Sequence, residues 1–308
     1  MPIKVDRALP ARSALEEENI FVMTADRADH QDIRPLEIGI VNLMPTKIDT
    51  EIQLMRLLGN TPIQVNIDLL HTASYKAKNS SEGHLSRFYT TFDEIQGKRY
   101  DGMIITGAPV ETLPFSEVDY WEELQAIMDY SRRYVFSTLH ICWGAQAGLW
   151  HHYGVEKVML PQKLSGIYLH RRFDSHHPLF RGFDDTFPVP HSRYTGLDEK
   201  GVQSHPKLEI LAASKKAGVC VVQGSGGREI FITGHLEYDT DTLAKEFFRD
   251  REKGLDVLLP DNYFPGEDTR NRPESTWRAH AHLFFSNWLN YHVYQSTPYN
   301  LLSLEELS

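Results

Sequence analysis

The run Tyr134-Val-Phe-Ser-Thr-Leu-His-Ile-Cys-Trp-Gly144 constrains the fold more than any other part of the chain. It opens apolar and β-branched without alternation, the pattern of a strand buried on both faces. Such a strand needs helices on both sides of its sheet. At Cys142-Trp143-Gly144 the run turns into small, helix-compatible residues that continue to Trp150. A thiol at a strand-to-helix turn is expected to stand exposed at the end of a sheet. The unpaired N–H groups and positive end of the following helix favour negative charge on sulfur there. The pattern is that of a nucleophile elbow with cysteine in place of serine. The ordinary alternative is a buried thiol serving as a small hydrophobe.

The flanking sequence repeats the strand-helix alternation. Residues 35–43 read as a strand that Met44-Pro45 breaks. A helix over 48–58 carries Ile48, Ile52, Met55 and Leu58 on one face and stops at Gly59-Asn60. Residues 63–70 alternate as a second strand. A polar stretch, 71–98, holds a short helix around 84–95. Residues 101–109 form a third strand ending in a glycine turn at Gly107. A helix over 115–133 buries Val118, Trp121, Leu124 and Met128. This predicts an α/β fold with an open, doubly wound, mostly parallel sheet of the flavodoxin-like kind, with its ligand site beyond the C-terminal strand ends. The Gly107 and Cys142 turns both fall at that edge.

From 157 to 234 the pattern changes to short strands at 166–173, 186–190, 208–213, 219–223 and 230–233. Gly, Pro, Asp and Ser turns separate several of them, which predicts an antiparallel elaboration on the same core. A helix over 241–253, a Pro-, Asp- and Asn-rich loop over 254–272 and an aromatic helix over 275–294 follow. The expected division is an N-terminal arm (1–34), a single α/β domain (35–300) and a C-terminal tail (301–308). In the arm, Ile20, Phe21 and Val22 want cover.

A net charge of −10 argues against a broad nucleic-acid surface, which needs clustered Lys and Arg. Two cysteines, Cys142 and Cys220, cannot make a disulfide framework and fit a reducing compartment. The start Met1-Pro-Ile-Lys-Val-Asp-Arg7 has no apolar core of signal-peptide length, and no run approaches the roughly 20 apolar residues of a membrane span. The expectation is a soluble cytoplasmic protein with neither a membrane nor a nucleic-acid partner.

The strongest partner for Cys142 is His235, at the end of the strand Glu229-Ile-Phe-Ile-Thr-Gly234. Glu237 lies two residues on, so an extended backbone points both side chains to one side. A carboxylate so placed holds the imidazole's tautomer and stabilises its cation. Asp239 is a rival. A Cys-His-Glu set fits acyl transfer through a thioester. The backbone N–H of Trp143 and the Gly107-Ala108 turn are candidate oxyanion donors, typically worth about 3–4 kcal/mol each.

The order Thr-Gly-Ala-Pro109, Ile-Cys142-Trp-Gly, Gly-His235-Leu-Glu237-Tyr resembles the class I glutamine-amidotransferase-like fold. The usual amidotransferase pattern is Gly-x-Cys-x-Gly, and His140 stands at the first glycine. The likeness is closer to the MetA-type homoserine O-acyltransferases, and it runs almost end to end. It is carried by Met1-Pro-Ile, Ile20-Phe-Val-Met-Thr24, Ile33-Arg-Pro-Leu36, Asn42-Leu-Met-Pro45, Lys47-Ile48, Leu164-Ser-Gly166 and Arg181-Gly-Phe-Asp-Asp185. Pro190-His-Ser-Arg-Tyr194, Glu246-Phe-Phe-Arg-Asp250 and Asn287-Trp-Leu-Asn-Tyr291 complete it.

The resemblance implies that Cys142 carries the acyl group, His235 is the general base and Glu237 orients it. It implies that Arg249 grips the homoserine carboxylate and that Lys163 and Ser192 complete the amino-acid site, with Lys47 a weaker candidate nearby. Glu111 is at the position that separates acyl donors in this family: glycine there resembles the succinyl-CoA enzymes and glutamate the acetyl-CoA enzymes. The physics agrees, since a carboxylate at the acyl pocket repels a succinyl tail and takes its space. The implied partners are L-homoserine and acetyl-CoA, the latter a co-substrate with no bound cofactor, and the implied assembly is a homodimer. His151-His152, His176-His177 and His280/His282 lack familiar metal spacing, so no catalytic metal is expected. The competing readings are the succinyl-CoA version, a glutaminase or peptidase in which water resolves the thioester, and a redox-sensing or inert thiol.

Overall fold

The computed structural model describes residues 34–74, 82–298 and 300–304, together with 3, 4, 6, 8–17, 22 and 23. The first half alternates as β1 (Ile3–Lys4), α1 (Pro10–Glu17), β2 (Val22–Met23), β3 (Leu36–Val41), α2 (Lys47–Leu58) and β4 (Val65–Leu70). It continues through α3 (Glu82–Phe88), β5 (Tyr89–Thr90), α4 (Phe92–Ile95), β6 (Tyr100–Ile105), α5 (Trp121–Tyr134), β7 (Val135–Ile141) and α6 (Trp143–Tyr153). The second half runs β8 (Lys157–Arg172), β9 (Thr186–Leu197), α7 (Glu199–Ser204), β10 (Leu208–Ser214), β11 (Gly218–Gly224), β12 (Glu229–Ile232), α8 (Thr242–Glu252) and α9 (Arg278–Asn287).

These strands join one sheet in the order β2-β1-β4-β3-β6-β7-β12-β11-β10-β8-β9, with β5 beside the end of β4. Pairing is parallel from β2 to β12 and antiparallel from β12 to β9. Helices cover both faces because the parallel strands are apolar on both. Ile38 and Ile40 of β3 pack into a core with Leu54 and Leu58 of α2 and Phe284 and Phe285 of α9. Val41 and Ile105 face the other way, into a core with Leu124, Ile127 and Met128 of α5. The strand order reverses between β3 and β6, so the crevice expected to bind ligand opens beyond their C-terminal ends.

Strand β12 is the seam. Its sequence groups it with the antiparallel strands, yet it pairs parallel to β7 with Ile232 opposite Ile141. His235, three residues past β12, and Cys142, one past β7, therefore emerge from neighbouring strands at one edge. Nothing in the local pattern specifies a neighbour nearly a hundred residues away.

Other departures have local causes. Strands β8 and β9 are much longer than their apolar runs, because Lys157–Leu164 and His191–Leu197 pair across a large bulge. On α2, Ile48 is 41% exposed. The first turn of that helix instead buries Lys47 and Glu51, whose Oε1 accepts from Tyr89 Oη at 2.6 Å and meets His84 Nε2 at 2.9 Å. The helix expected from 115 starts later: Phe115–Glu117 is a separate 3₁₀ turn. The aromatic helix widens into a π-helix over Trp288–Tyr294. Of the N-terminal arm, β1 and β2 extend the sheet beyond β4, while Ile20 and Phe21 lie outside the described residues. In the tail, Arg99 Nη1 donates to the carbonyls of Leu301 and Leu302 at 2.9 and 2.8 Å.

His140 tests how tightly α6 sits on the sheet. Its ring is wholly buried and stacks on Phe231 at 4.7 Å, and burial pulls its pKa down to about 4, so it is neutral. A Cβ on Gly148 would come within 2.8 Å of that ring. Gly148→Ala is therefore expected to cost about 1–3 kcal/mol through overpacking, read as a lower midpoint in urea unfolding. An unchanged midpoint would mean that the ring gives way freely.

Candidate active site

Cys142 sits between the last residue of β7 and the first of α6, with φ 51° and ψ −114°. A non-glycine residue held at positive φ stores strain of about 1–3 kcal/mol, a recurrent feature of reactive turns. The fold fixes it from both sides. Its N–H donates to Ile232 O at 2.7 Å, and its carbonyl accepts from Ala145 N at 3.0 Å. Gly144 allows the turn to press on β6, since a Cβ there would lie 2.6 Å from Thr106 O. Trp143 opens α6, so its N–H is one of the donors left without an intrahelical partner. Its side chain is buried among Phe115, Tyr120 and Trp121.

Gly107, after β6, packs directly against the elbow. A Cβ at that glycine would lie 3.8 Å from Cys142 Sγ and 3.5 Å from His235 Cε1. The sulfur and the imidazole therefore face the same turn, and both line one cavity of about 550 Å³. His235 is held by its N–H to Pro190 O at 2.8 Å and by stacking on Tyr238 at 4.1 Å. Its Nδ1 meets Glu237 Oε1 at 2.5 Å, and both side chains are buried. Burial works against charge on His235, but Cys142 and Glu237, each by charge and hydrogen bond, outweigh it and hold the imidazole's pKa well above its ordinary value. Asp239, the rival carboxylate, is engaged elsewhere, with Arg56 Nη1 at 2.6 Å.

The remaining candidates lie around the same cavity. The large bulge in β8 carries Lys163 inward, where its Nζ meets Asp250 Oδ2 at 3.0 Å. Arg249 is half exposed and meets Asp250 Oδ1 through Nη2 at 2.7 Å and Nε at 2.8 Å. A guanidinium has five N–H donors, so this pairing does not exhaust it. Ser192 donates to Glu246 Oε2 at 2.5 Å, and Tyr238 to Glu246 Oε1 at 2.9 Å. Glu246 and Tyr238 were not among the sequence candidates. The signal was present: Glu246, Arg249 and Asp250 lie three and four residues apart, on one helical face.

Glu111 also lines the cavity. Its Oε2 accepts from Tyr194 N at 2.8 Å, Thr195 Oγ1 at 3.1 Å and Thr195 N at 3.3 Å. Burial raises its pKa despite those donors. Lys47 does not line the cavity. It is turned into the core, its Nζ donates to Asn42 O, and burial lowers its pKa to about 8. Its position at the start of α2 could not reveal that inward turn.

Among the described residues, two groups bring three potential metal donors together. In the buried one, Arg193 Nε donates to His191 Nδ1 at 3.3 Å, which leaves the His191 proton on Nε2. That atom faces His170 Nε2 at 3.2 Å, and His170 Nδ1 meets Tyr168 O at 2.9 Å. The chain closes with both imidazole lone pairs used, and burial pushes the third member, the Cys220 thiol, up to about 12. This donor set does not suit a cation. In the other group Asp129 is exposed while His151 and His152 are turned inward, with His151 Nε2 on Asp129 Oδ1 at 2.7 Å.

The backbone is similar to two solved glutamine amidotransferases. One, from Thermotoga maritima, has a TM-score of 0.53 at 13% identity, covering 84% of this chain and 98% of that one. The other, from Methylobacillus flagellatus, has a TM-score of 0.52 at 12% identity, covering 84% and 95%. At such identities the likeness establishes the glutamine-amidotransferase-like fold alone. Sequence relatives are far closer. Proteins named homoserine O-acetyltransferase from Petrotoga mobilis and Thermotoga petrophila are 56% and 59% identical, spanning 99% and 98% of this chain and 99% of each relative. One from Lysinibacillus sphaericus is 57% identical over 100% of this chain and 99% of its own length. The profile described as homoserine O-succinyltransferase matches residues 2–299. With nearly every residue inside that match, the chain belongs to the homoserine O-succinyltransferase family.

Proposed function

We propose that this protein is an acyltransferase that moves the acetyl group of acetyl-CoA to the hydroxyl of L-homoserine, giving O-acetyl-L-homoserine and CoA for methionine biosynthesis. The observation that carries the reading is the Cys142–His235–Glu237 line, buried at the head of a cavity that Glu111, Lys163, Ser192 and Arg249 also line. Full-length relatives named homoserine O-acetyltransferase support the acetyl donor.

The chemistry is two exchanges at one sulfur. Cys142, as thiolate beside protonated His235, attacks the acetyl-CoA carbonyl. The N–H of Trp143, with the Gly107-Ala108 turn, stabilises the oxyanion. The C–S bond to CoA breaks, and the departing thiolate takes the His235 proton. Acetylation removes the negative charge that held His235 protonated, so the ring is now a neutral base. It takes the homoserine hydroxyl proton, the oxygen attacks acetyl-Cys142, and the sulfur departs as thiolate beside the protonated ring, restoring the starting pair. Glu237 keeps Nε2 aimed at the reaction throughout. Arg249 and Lys163 receive the homoserine carboxylate, while Glu246 and Ser192 face its ammonium group. The enzyme needs no bound cofactor.

Donor choice rests on Glu111. The family name carries succinyl and the relatives' names carry acetyl; the carboxylate at 111 favours the uncharged, shorter group. Wild-type protein is expected to release CoA from acetyl-CoA in the presence of homoserine and to leave succinyl-CoA unused. Glu111→Gly is expected to raise kcat/KM for succinyl-CoA by about 10–100-fold. Comparable wild-type rates with both donors would overturn the assignment.

Among the described residues no helix is long and apolar enough to cross a membrane. The chain works as one domain in the cytoplasm and as a homodimer; exposed Met159, Leu169 and Phe173, on and just past β8, support a partner surface. Sedimentation giving a monomer at assay concentration would refute the dimer.

A further inference from the structure

Glu111 is more than a charge at the edge of the cavity: one of its oxygens is held on β9 by the Tyr194 and Thr195 N–H groups and by the Thr195 hydroxyl, whose single proton it shares with Gln146 Oε1 at 2.9 Å. We propose that this stretch of β9 is a carboxylate-receiving subsite of the acyl pocket, which Glu111 fills from within the chain, and that Thr195 is thereby a second determinant of the acyl donor. This rests on the acyltransferase reading above.

The subsite is built by the bulge between β8 and β9. Strand β8 advances from Met159 to Leu164 while β9 advances only from Thr195 to Arg193. That mismatch draws β8 away from Tyr194 and turns its N–H, which would otherwise serve the ladder, toward the cavity. Arg193 fixes the peptide from behind. It is buried and donates to the carbonyls of Thr195 and Ala217, so its cation lies beside the niche. The Glu111 backbone is pinned as well: Lys157 Nζ donates to its carbonyl at 2.7 Å and lies 4.4 Å from the centre of the Phe115 ring.

The chemical match is specific. A glutamate side chain is two methylenes ending in a carboxylate, and so is the tail of a succinyl group beyond its thioester carbonyl. With Glu111 in place, a donor's own carboxylate meets a like charge and finds the receiving groups occupied. With Glu111 removed, the Tyr194 and Thr195 N–H groups lose this acceptor in a partly desolvated niche and the Thr195 hydroxyl keeps only Gln146 Oε1, a costly state that an incoming carboxylate relieves. A pocket that merely gained room would accept any longer acyl chain. A vacated receiving site prefers the charged one.

The test combines Glu111→Gly with Thr195→Val or Thr195→Ser and measures kcat/KM for acetyl-, butyryl- and succinyl-CoA. Butyryl matches the length of the succinyl arm up to the carboxylate and lacks its charge. In Glu111→Gly, succinyl-CoA is expected to gain more than butyryl-CoA. Adding Thr195→Val is expected to lower the succinyl-to-acetyl ratio by about 10–100-fold, the loss typical of a hydrogen bond to a charged group, and Thr195→Ser to keep it. A second readout needs no turnover: free succinate is expected to protect Cys142 of Glu111→Gly from iodoacetamide, and Thr195→Val to abolish that protection. Equal gains for butyryl and succinyl, indifferent to Thr195, would overturn the subsite, as would Glu111→Gly protein that neither uses succinyl-CoA nor binds succinate. If no variant acylates homoserine yet succinate protects through Thr195, the acyltransferase reading fails and the subsite stands.

Discussion

Cys142→Ala is expected to reduce homoserine-dependent CoA release by roughly 10⁴-fold or more. The size follows from the proposed chemistry. The sulfur is the atom that breaks the donor thioester and carries the group to the acceptor, and among the described residues no other thiol lines the cavity. Direct attack of homoserine on bound acetyl-CoA would still profit from the oxyanion donors and from His235, so the residual rate reports how much of the catalysis is positional. The intermediate is accessible independently. Wild-type protein mixed with acetyl-CoA and no acceptor is expected to gain the mass of one acetyl group on the peptide containing Cys142, and to lose it when homoserine is added. A single-turnover experiment that releases CoA without ever showing that adduct would remove the covalent step. The alanine variant should fold, because the strained φ of 51° is imposed by the flanking strand and helix, and alanine fills no new space.

The second large effect is at His235. His235→Asn is expected to cost about 10²–10⁴-fold in both half-reactions, the usual range for a positioned acid–base group. Glu237→Gln is expected to cost less, about 10²-fold, because an amide oxygen still accepts from Nδ1 but carries no charge. The pH behaviour separates the two roles. The pKa of His235 is well above its ordinary value because Cys142 and Glu237 outweigh burial. Removing either group must lower it, so the imidazole titration followed by NMR should move down in Cys142→Ala and in Glu237→Gln. The linked stability runs the same way. A raised histidine contributes fully below about pH 6.5, and its contribution fades as pH rises through the folded value. Each variant should lose that contribution at lower pH than wild type. An imidazole whose titration is unmoved by Cys142→Ala would show that sulfur and ring are not coupled.

Much of the site was legible because its residues sit where the chain changes periodicity. Cys142 lies where an apolar strand turns into small helical residues, and His235 and Glu237 follow a strand by a spacing that puts both on one side. Glu246 was hidden among ordinary helix residues, and it became visible only when Ser192 and Tyr238 met it. Lys47 was a weaker candidate through the family resemblance, and a lysine at a helix start is normally solvated. Here Asn42, Tyr89 and Glu51 make a polar interior that takes it in.

What the sequence determined by itself is the set of elements and the chemistry at their ends: hydrophobic period and turn residues are local, and they specify strands, helices and a thiol at an elbow, which the fold buries instead of leaving exposed. What only the tertiary structure decided is which ends meet. The parallel pairing of β12 with β7 brings His235 to Cys142, and the bulge between β8 and β9 delivers Lys163 and frees the Tyr194 N–H for Glu111. Strand neighbours and bulges are set by long-range pairing and by competition for backbone hydrogen bonds, and no window of the chain contains both partners.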